Sequence, residues 1–191
     1  MKDQPALILA SASPRRQVLL SHLITDFQVQ AADIEESALP DETPEALVKR
    51  LSQEKAEHIA LKNHKACVLG SDTVVALEST ILGKPRDEKD FLGIMDSLSG
   101  RWHHVYTAVS LVHRGLTKTV LATTQVEFTQ LTKSEINHYW TTGEPQDKAG
   151  GYAIQGIGGQ FVKQIRGSVS AVIGLPLVET KQLLREAGMY H

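Results

Sequence analysis

Cysteine is nearly absent from this chain, which has one, Cys67, among 191 residues. A disulfide framework and a metal site built from cysteines both need more than one, so both are excluded. Cys67 lies inside an apolar run, and this setting favours a buried structural thiol over a reactive one.

Long apolar segments and a leader sequence are also missing. No apolar run is long enough to cross a bilayer, and the amino terminus lacks the pattern of a signal peptide. We therefore expect a soluble, cytoplasmic protein that does not associate with a membrane.

An excess of positive charge is missing as well, because the formal net charge is −2. A global basic surface for nucleic acid is therefore not expected, although a local positive pocket remains open. Hydrophobic residues make up 41% of the chain, which suffices for a core and argues against disorder. The length suits one domain or two closely joined lobes, and we expect residues 1–191 to form a single α/β domain.

The most informative segment is 7–16, where an apolar run precedes Ser-Ala-Ser-Pro-Arg-Arg. The run predicts a buried strand, and the Ser-Pro pair at 13–14 predicts the start of a helix. Arg15 and Arg16 then lie at the positive end of the helix dipole, where a bound anion would stabilise them. With Ser11, they predict a phosphate site that uses neither G-x-G-x-x-G nor G-K-[ST]. A capped surface helix with solvated arginines is the alternative.

A second predicted helix begins at Thr-Pro-Glu, 43–45, and carries a lysine on its apolar face. Its stripe at four-residue spacing is Leu47, Leu51, Lys55 and Ile59. Lys55 stands where an apolar residue belongs, so it either extends along the edge of the core to water or points into a polar pocket.

Acidic residues occur at two notable places. Glu35 and Glu36 end an acidic cluster, and Asp72 separates the apolar runs 66–69 and 74–77. Burial of an unpaired carboxylate is costly. Asp72 is therefore either a structural residue bonded within a bulge or turn, or a carboxylate at a strand end that faces a ligand cleft.

Two glycine-containing segments follow. Gly83 permits close approach of the backbone, and Pro85 fixes its exit, so Lys84 between them is either held in place or is a solvated turn lysine. Residues 147–159 include five glycines in ten positions, which excludes a plain helix or strand. That loop either makes tight turns or lies against a flat ligand, and the amide of Gln155 could read a base edge.

The rest of the chain alternates between strands and helices. Further strands are predicted at 27–32, 105–113, 120–128 and 161–165, and further helices begin at Asp87, Thr132 and Leu177. His103 and His104 have no ligand-spaced partner, so a histidine metal site is not expected.

Together these segments supply cations that bind phosphates, and acids that hold a divalent ion or take a proton from water. The cations are Arg15, Arg16, Lys55 and Lys84, and the acids are Glu35, Glu36 and Asp72. Metal-assisted hydrolysis of a phosphoanhydride fits this set best.

The motifs also resemble, in order and spacing, those of the Maf family of nucleotide pyrophosphatases. They lie at 11–16, 35–36, 54–56, 70–73, 83–85, 147–159 and 174–177, and so cover nearly the whole chain. The resemblance implies a mixed, elongated, twisted sheet flanked by helices, with two lobes around a deep nucleotide-binding cleft. It also implies a divalent cation, Mg²⁺ or Mn²⁺, a nucleoside triphosphate substrate and a homodimer.

The resemblance further implies roles for individual residues. Asp72 matches the catalytic acid that accepts a proton from water, and Glu36 with Asp72 matches the metal positions. Ser11, Arg16, Lys55 and Lys84 match phosphate-binding positions. Arg15, Thr73 and Gln155 match the positions that separate the branches of the family, and they are similar to the dTTP and UTP branch.

Two alternatives remain at this point. One is the family's 7-methyl-GTP branch, which carries tryptophan, glutamine and glutamate at the three branch positions. The other is a non-catalytic nucleotide-binding regulator of cell division, which would need the phosphate site but neither Asp72 nor the acidic cluster.

Overall fold

The computed structural model describes residues 5–190, which form one mixed seven-stranded sheet with helices packed against it. In chain order the elements are β1 Leu7–Leu9, α1 Pro14–Ser21, β2 Gln28–Val29, α2 Pro44–Ala60, β3 Cys67–Leu77, β4 Thr80–Leu82, α3 Glu88–Leu98, β5 Trp102–His113, β6 Leu116–Phe128, α4 Lys133–Thr141, β7 Val162–Arg166, α5 Val169–Ile173 and α6 Leu177–Glu186. Three short 3₁₀ helices, Glu144–Asp147, Ala149–Gly151 and Ile157–Phe161, lie between α4 and β7. Within the described range, no helix has the length and apolar character needed to cross a membrane.

Strand order in the sheet is β2-β1-β3-β5-β6-β7, with β4 paired to β3. β1 runs parallel to β2 and β3, and the other pairs are antiparallel. The expected mixed α/β fold is therefore confirmed.

The central strand β3 is bordered unequally on its two edges. β5 pairs with it continuously from Val68 to Ala76. On the other edge, β1 pairs with 67–69 and β4 with 75–77. Among the described strands nothing pairs with 70–74 on that edge, and this gap opens the sheet to a pocket.

Most predicted helix starts are confirmed by their caps. The side chains of Ser13, Thr43 and Asp87 each accept a backbone N–H from the first turn of the helix that follows. Thr132 and Glu135 form a capping box at the start of α4. Cys67 is fully buried, as expected, and burial raises the pKa of its thiol to about 12.

Three sequence-based expectations need correction. The strand predicted at 27–32 shortens to Gln28–Val29, because β1 offers only a three-residue partner. Residues 67–69 and 74–77 of the two apolar runs belong to one strand, so Asp72 lies in regular pairing with Ala108 and not in a turn, a bulge or a strand end. Helix α5 was not predicted, since it is only five residues long.

Helix α2 crosses β3 at very short range, and Gly70 makes this possible. A Cβ atom on Gly70 would lie 2.3 Å from the carbonyl oxygen of Ser52 and 2.8 Å from the amide nitrogen of Ala56. Both are backbone atoms of α2, so neither can rotate away. The close approach brings the turn of α2 that carries Lys55 against the middle of β3.

We expect Gly70→Ala to lower the free energy of unfolding by about 3 kcal/mol, because α2 would have to move off the sheet. Gly93→Ala is the matched control: Gly93 lies inside α3 and an added Cβ there meets no atom within 4 Å. That substitution should stabilise the protein by about 0.5–1 kcal/mol through helix propensity. Urea unfolding of both variants makes the comparison, and equal effects would contradict the packing argument.

Two apolar clusters of the core border the pocket. One contains Phe91, Met95, Phe128, Tyr139 and Tyr152, and the other contains Leu7, Leu9, Leu20, Leu175 and Leu184. Tyr152 of the first cluster lines the pocket, and so does Ile173, which packs against the second.

Candidate active site

A cavity of about 670 Å³ opens at the unpaired edge of β3. Its walls include all nine residues that the sequence assigned to a site: Ser11, Arg15, Arg16, Glu36, Lys55, Asp72, Thr73, Lys84 and Gln155. They come from the turn between β1 and α1, from α1, from the segment between β2 and α2, from α2, from β3, from the segment after β4 and from the glycine-rich loop. Residues more than 140 positions apart in the chain thus meet in one pocket.

At the floor of the pocket, one ammonium group joins two carboxylates. Nζ of Lys55 donates to Oδ1 of Asp72 at 2.7 Å and lies 2.8 Å from Oε1 of Glu36. The side chains of Lys55 and Asp72 are 8% and 9% exposed, whereas that of Glu36 is 51% exposed. The lysine on the apolar stripe therefore points into a polar pocket, and Asp72 has the partner that its burial requires.

The charge on Glu36 is favoured by its neighbours. Burial acts to raise the pKa of Glu36, but the hydrogen bond from Lys55 and the charges on Lys55, Lys84 and Arg16 outweigh it and lower that pKa below its usual 4.5. Glu36 is therefore an anion at neutral pH. Glu35 differs, because it is exposed, bonds to Ser37 and does not line the cavity.

Arg16 is held in place on three sides. Its Nε donates to the carbonyl oxygen of Gly174 at 2.9 Å, and its terminal nitrogens donate to Ser11 Oγ at 3.2 Å and Thr73 Oγ1 at 3.3 Å. Burial lowers the pKa of the guanidinium, but an arginine stays protonated in proteins. A guanidinium has five N–H donors, so two remain for an anion in the pocket.

Ser11 faces the same space. Its Oγ accepts from the amide of Ser13 and from Arg16, both at 3.2 Å. Both contacts use the oxygen as acceptor, so its O–H can be donated to a ligand oxygen.

Thr73 has a supporting contact that sequence reasoning missed. Besides accepting from Arg16, its hydroxyl lies 3.1 Å from that of Thr107 on β5, which donates to the carbonyl oxygen of Ala171 at 2.7 Å. Thr73 therefore links Arg16 to the sheet as well as lining the pocket. Only the pairing of β3 with β5 brings Thr107 there.

Lys84 also lines the cavity and is exposed to solvent. The carbonyl oxygen of the preceding Gly83 accepts from the amide of Gly150 at 3.0 Å, which ties this segment to the glycine-rich loop. A Cβ on Gly83 would meet no described atom within 4 Å, so this backbone is open to a ligand.

Backbone conformation and close contacts within the protein explain why the loop has glycine at positions 150 and 151. Gly150 and Gly151 have φ of 68° and 71°, and added Cβ atoms would contact Val75 and Phe91 at 2.8 and 3.1 Å. Tight turns and close packing therefore account for these positions, and Gln155 is presented exposed at the pocket wall.

Asp147 and Lys148 are lining residues that the sequence reasoning did not assign. They form an ion pair, and the hydrogen bond from Lys148 lowers the pKa of Asp147, with a smaller contribution from Arg15. Their position directly before the glycines could have indicated a place in the site. However, adjacent opposite charges are common on protein surfaces, so this pattern alone does not single them out.

The donor chemistry of the pocket fits a hard divalent cation. Glu36 and Asp72 offer carboxylate oxygens, which Mg²⁺ prefers, usually one or two at a time with substrate phosphates. Residues 5–190 contain no group of three acidic, histidine or cysteine side chains that could form a complete metal site by themselves. His103 is buried and bonds to the hydroxyl of Tyr152 at 2.8 Å, so it is a core histidine.

The fold and this cavity define the class: an α/β protein whose central strand places a buried carboxylate among cations suited to phosphates. The family model described as "Maf-like protein" matches residues 6–187, so the chain belongs to the Maf family. It is 52% identical over 187 residues to the dTTP/UTP pyrophosphatase of Colwellia psychrerythraea, with 95% of this chain and 88% of that one covered. It is 50% identical over 187 residues to the dTTP/UTP pyrophosphatase of Vibrio parahaemolyticus, with 97% and 99% covered.

A solved structure supports the fold. The Ham1 protein of Staphylococcus aureus superimposes with a TM-score of 0.50 at 17% identity, and the match covers 82% of this chain and 79% of that one. At this identity the likeness concerns the architecture alone.

Proposed function

We propose that this protein is a nucleoside triphosphate pyrophosphatase that hydrolyses dTTP and UTP, and modified pyrimidine nucleotides of the same shape, to the monophosphate and pyrophosphate. The observation that carries the proposal is Asp72, buried in mid-strand and bonded to Lys55 at 2.7 Å on the floor of a cationic cavity. The relatives' names support the same reaction.

In this proposal the triphosphate binds to the cationic groups that line the cavity. Arg16 offers its two remaining N–H groups, Ser11 its hydroxyl proton and Lys84 its ammonium group. Charged donors to phosphate oxygens make strong hydrogen bonds, and those of Arg16 are already oriented by three protein acceptors. Little side-chain ordering is therefore left for the substrate to impose.

Asp72 orients a water molecule and accepts its proton as the water oxygen attacks the α-phosphorus. The bond between that phosphorus and the bridging oxygen to the β-phosphorus breaks, and pyrophosphate leaves with the electron pair. Lys55 keeps Asp72 in position, and the cations of the pocket offset the charge that develops on the leaving group.

A divalent cation, Mg²⁺ or Mn²⁺, would be held by Glu36 and Asp72 together with phosphate oxygens. When bound it supplies Lewis-acid stabilisation of negative charge on the phosphates. Since Lys55 already contacts one oxygen of each carboxylate, their other oxygens are the ones available for it.

Base selection in this proposal depends on Gln155, Arg15 and Thr73. Thymine and uracil share an O4 acceptor and an N3–H donor, and a glutamine amide can pair with both. Gln155→Glu replaces the amide donor with a carboxylate oxygen, so we expect kcat/KM for dTTP relative to GTP to fall by about tenfold or more. An unchanged ratio would refute base reading by Gln155.

The reaction is tested by pyrophosphate release from dTTP, UTP, CTP, GTP and 7-methyl-GTP with Mg²⁺ or Mn²⁺. Release from dTTP and UTP is the expected result. Release only from 7-methyl-GTP would keep the chemistry and overturn the branch assignment. Binding without release from any nucleotide would favour the non-catalytic regulator.

We also propose a single folding unit and a homodimer. The single sheet, whose strands extend from Leu7 to Arg166, supports the first, and the resemblance to the Maf family supports the second. One cooperative unfolding transition and a light-scattering mass of twice the chain are the expected results.

A further inference from the structure

The loop that carries Gln155 is closed by a carboxylate that takes no part in the proposed chemistry. Oε1 of Glu144 accepts from the hydroxyl of Tyr139 at 2.6 Å and from the amide of Gly158 at 2.9 Å. Its Oε2 accepts from the amide of Ile157 at 2.8 Å. One side chain thus connects α4 to the far end of the loop.

Tyr139 holds the near end of the same loop. Its hydroxyl oxygen accepts from the amide of Ala153 at 3.2 Å while its proton goes to Glu144. The phenol ring is fully buried and packs edge-on against Phe161 at 5.1 Å between ring centroids. The anchor is therefore part of the packed core.

The two anchors lie at the ends of a tight turn, in which the amide of Gly156 donates to the carbonyl oxygen of Ala153 at 3.1 Å. Ala153 is tied to Tyr139 and Ile157 to Glu144, so three residues, 154–156, span the interval, and Gln155 is the middle one. Because the turn is short and closed by its own hydrogen bond, the two anchors set where its backbone lies relative to the core.

Glu144 and Tyr139 together form a clamp on the loop, and two glycines of the loop lie directly against it. A Cβ on Gly156 would lie 2.2 Å from Oε2 of Glu144, and a Cβ on Gly158 would lie 2.5 Å from the hydroxyl of Tyr139. The loop therefore closes onto the carboxylate and phenol only because both positions lack side chains. Gly143, with φ of 76°, turns the chain after α4 so that Glu144 faces back toward the loop.

We infer that Glu144 and Tyr139 are positioning residues for base selection, acting through the backbone of 153–158 on Gln155. The inference rests on the proposed function. Cytosine presents an amino donor where thymine and uracil present O4, and a glutamine amide that is free to move can turn over and pair with either pattern. Discrimination against cytosine is therefore the property most sensitive to how firmly the loop is held.

The test compares Glu144→Gln and Tyr139→Phe with the control Glu135→Gln. The first substitution would place an amide N–H group opposite one of the three donors that the carboxylate accepts from, and the second would remove the hydroxyl with little change in packing. Glu135 also accepts a backbone amide at α4, from Thr132 at 2.7 Å, but does not line the pocket or touch the loop. It controls for the general cost of losing a carboxylate cap.

For both test variants we expect KM for dTTP to rise about tenfold while kcat changes by less than about threefold. The ratio of kcat/KM for dTTP to that for dCTP should fall by about tenfold, and amide hydrogens of 153–158 should exchange faster. Glu135→Gln should keep the wild-type ratio and exchange rates. A residue that mattered only for stability would lower the unfolding temperature without changing this ratio.

Folded test variants with the wild-type dTTP-to-dCTP ratio would overturn the inference, as would a loss confined to kcat. If Gln155→Glu alters base preference but these variants do not, the proposed function stands and the positioning role is wrong. A wild-type protein that hydrolyses no nucleotide would overturn both. If Glu144→Gln fails to fold, two other variants disturb the same contacts: Tyr139→Phe removes the hydroxyl that donates to Glu144, and Gly156→Ala adds a Cβ against its carboxylate. The outcomes stated above apply to these variants in the same way.

Discussion

The variant Asp72→Asn is expected to fold normally and to lose about 10³-fold in kcat for dTTP hydrolysis. Asparagine has the same shape, and its carbonyl oxygen can still accept the hydrogen bond from Lys55 that Asp72 accepts at 2.7 Å. It cannot take a proton from water, and it is a weaker ligand for a divalent cation. Steady-state pyrophosphate release, measured beside a thermal unfolding curve, gives both quantities.

Metal titration of the same variant distinguishes between Asp72 as the base that accepts the proton and Asp72 as a ligand of the divalent cation. If Asp72 acts mainly as the base, saturating Mg²⁺ should not restore turnover; if it acts mainly as a ligand, the Mg²⁺ requirement should rise and activity should recover in part. Asp96→Asn, at an exposed position on α3, serves as the control and should keep wild-type activity. A folded Asp72→Asn protein within about tenfold of the wild-type rate would exclude the proposed role.

Lys55→Met is expected to cause the second large effect, on both stability and activity. Methionine has a similar volume and retains the apolar contacts of the stem, but it removes the ammonium that lies between Asp72 and Glu36. Asp72 is then buried without its partner, which should lower the free energy of unfolding by about 3 kcal/mol at neutral pH. Turnover should be lost as well, because the carboxylate is no longer held.

The pH dependence of that stability loss has a definite sign. In the wild type the pKa of Glu36 is lowered from 4.5, so its pairing stabilises the fold above that value and ceases to do so as pH falls through the lowered pKa. The gap in stability between wild type and Lys55→Met should therefore shrink as pH drops from 7 to below 4.5. Urea unfolding at several pH values measures it, and a gap that widens in acid would contradict the charge argument.

Lys118→Met provides the comparison for an exposed lysine. Lys118 pairs with Glu186 at 2.9 Å, but the side chains are 60% and 41% exposed. An exposed pair of this kind contributes about 0.5 kcal/mol or less, and salt screens it. Its loss should leave turnover unchanged, so any common effect of replacing lysine by methionine would be visible.

Helix starts could be predicted because their causes are local. Four capping side chains each accept from an amide three residues further along the chain: Ser13, Thr43, Asp87 and Thr132. Each cap and its partner therefore lie within four consecutive residues of the printed sequence. The apolar stripe of α2 was likewise visible from its spacing, and with it the anomaly of Lys55. These inferences needed no knowledge of the rest of the fold.

The residues of the pocket could be named from sequence, but their arrangement could not. Asp72 lies in mid-strand at an open edge because β1 ends at Leu9 and β4 begins pairing only at Val75. Neither boundary can be inferred from the residues on either side of Asp72. The partners of Arg16 at Gly174 and of Thr73 at Thr107 come from elements 158 and 34 residues away.

The amino-acid sequence alone specifies the chemical groups and the local elements that carry them: a capped helix with two arginines, a lysine on an apolar face, a carboxylate between apolar runs and a glycine-rich loop. Which of these groups meet depends on the tertiary fold. Lys55 lies between two carboxylates, and the glycines of 150–158 make room for Val75, Tyr139 and Glu144. Capping and helix periodicity depend on bonds within one turn of the chain, whereas these contacts depend on strand register and on the distance between packed elements, which are set only when the whole sheet forms.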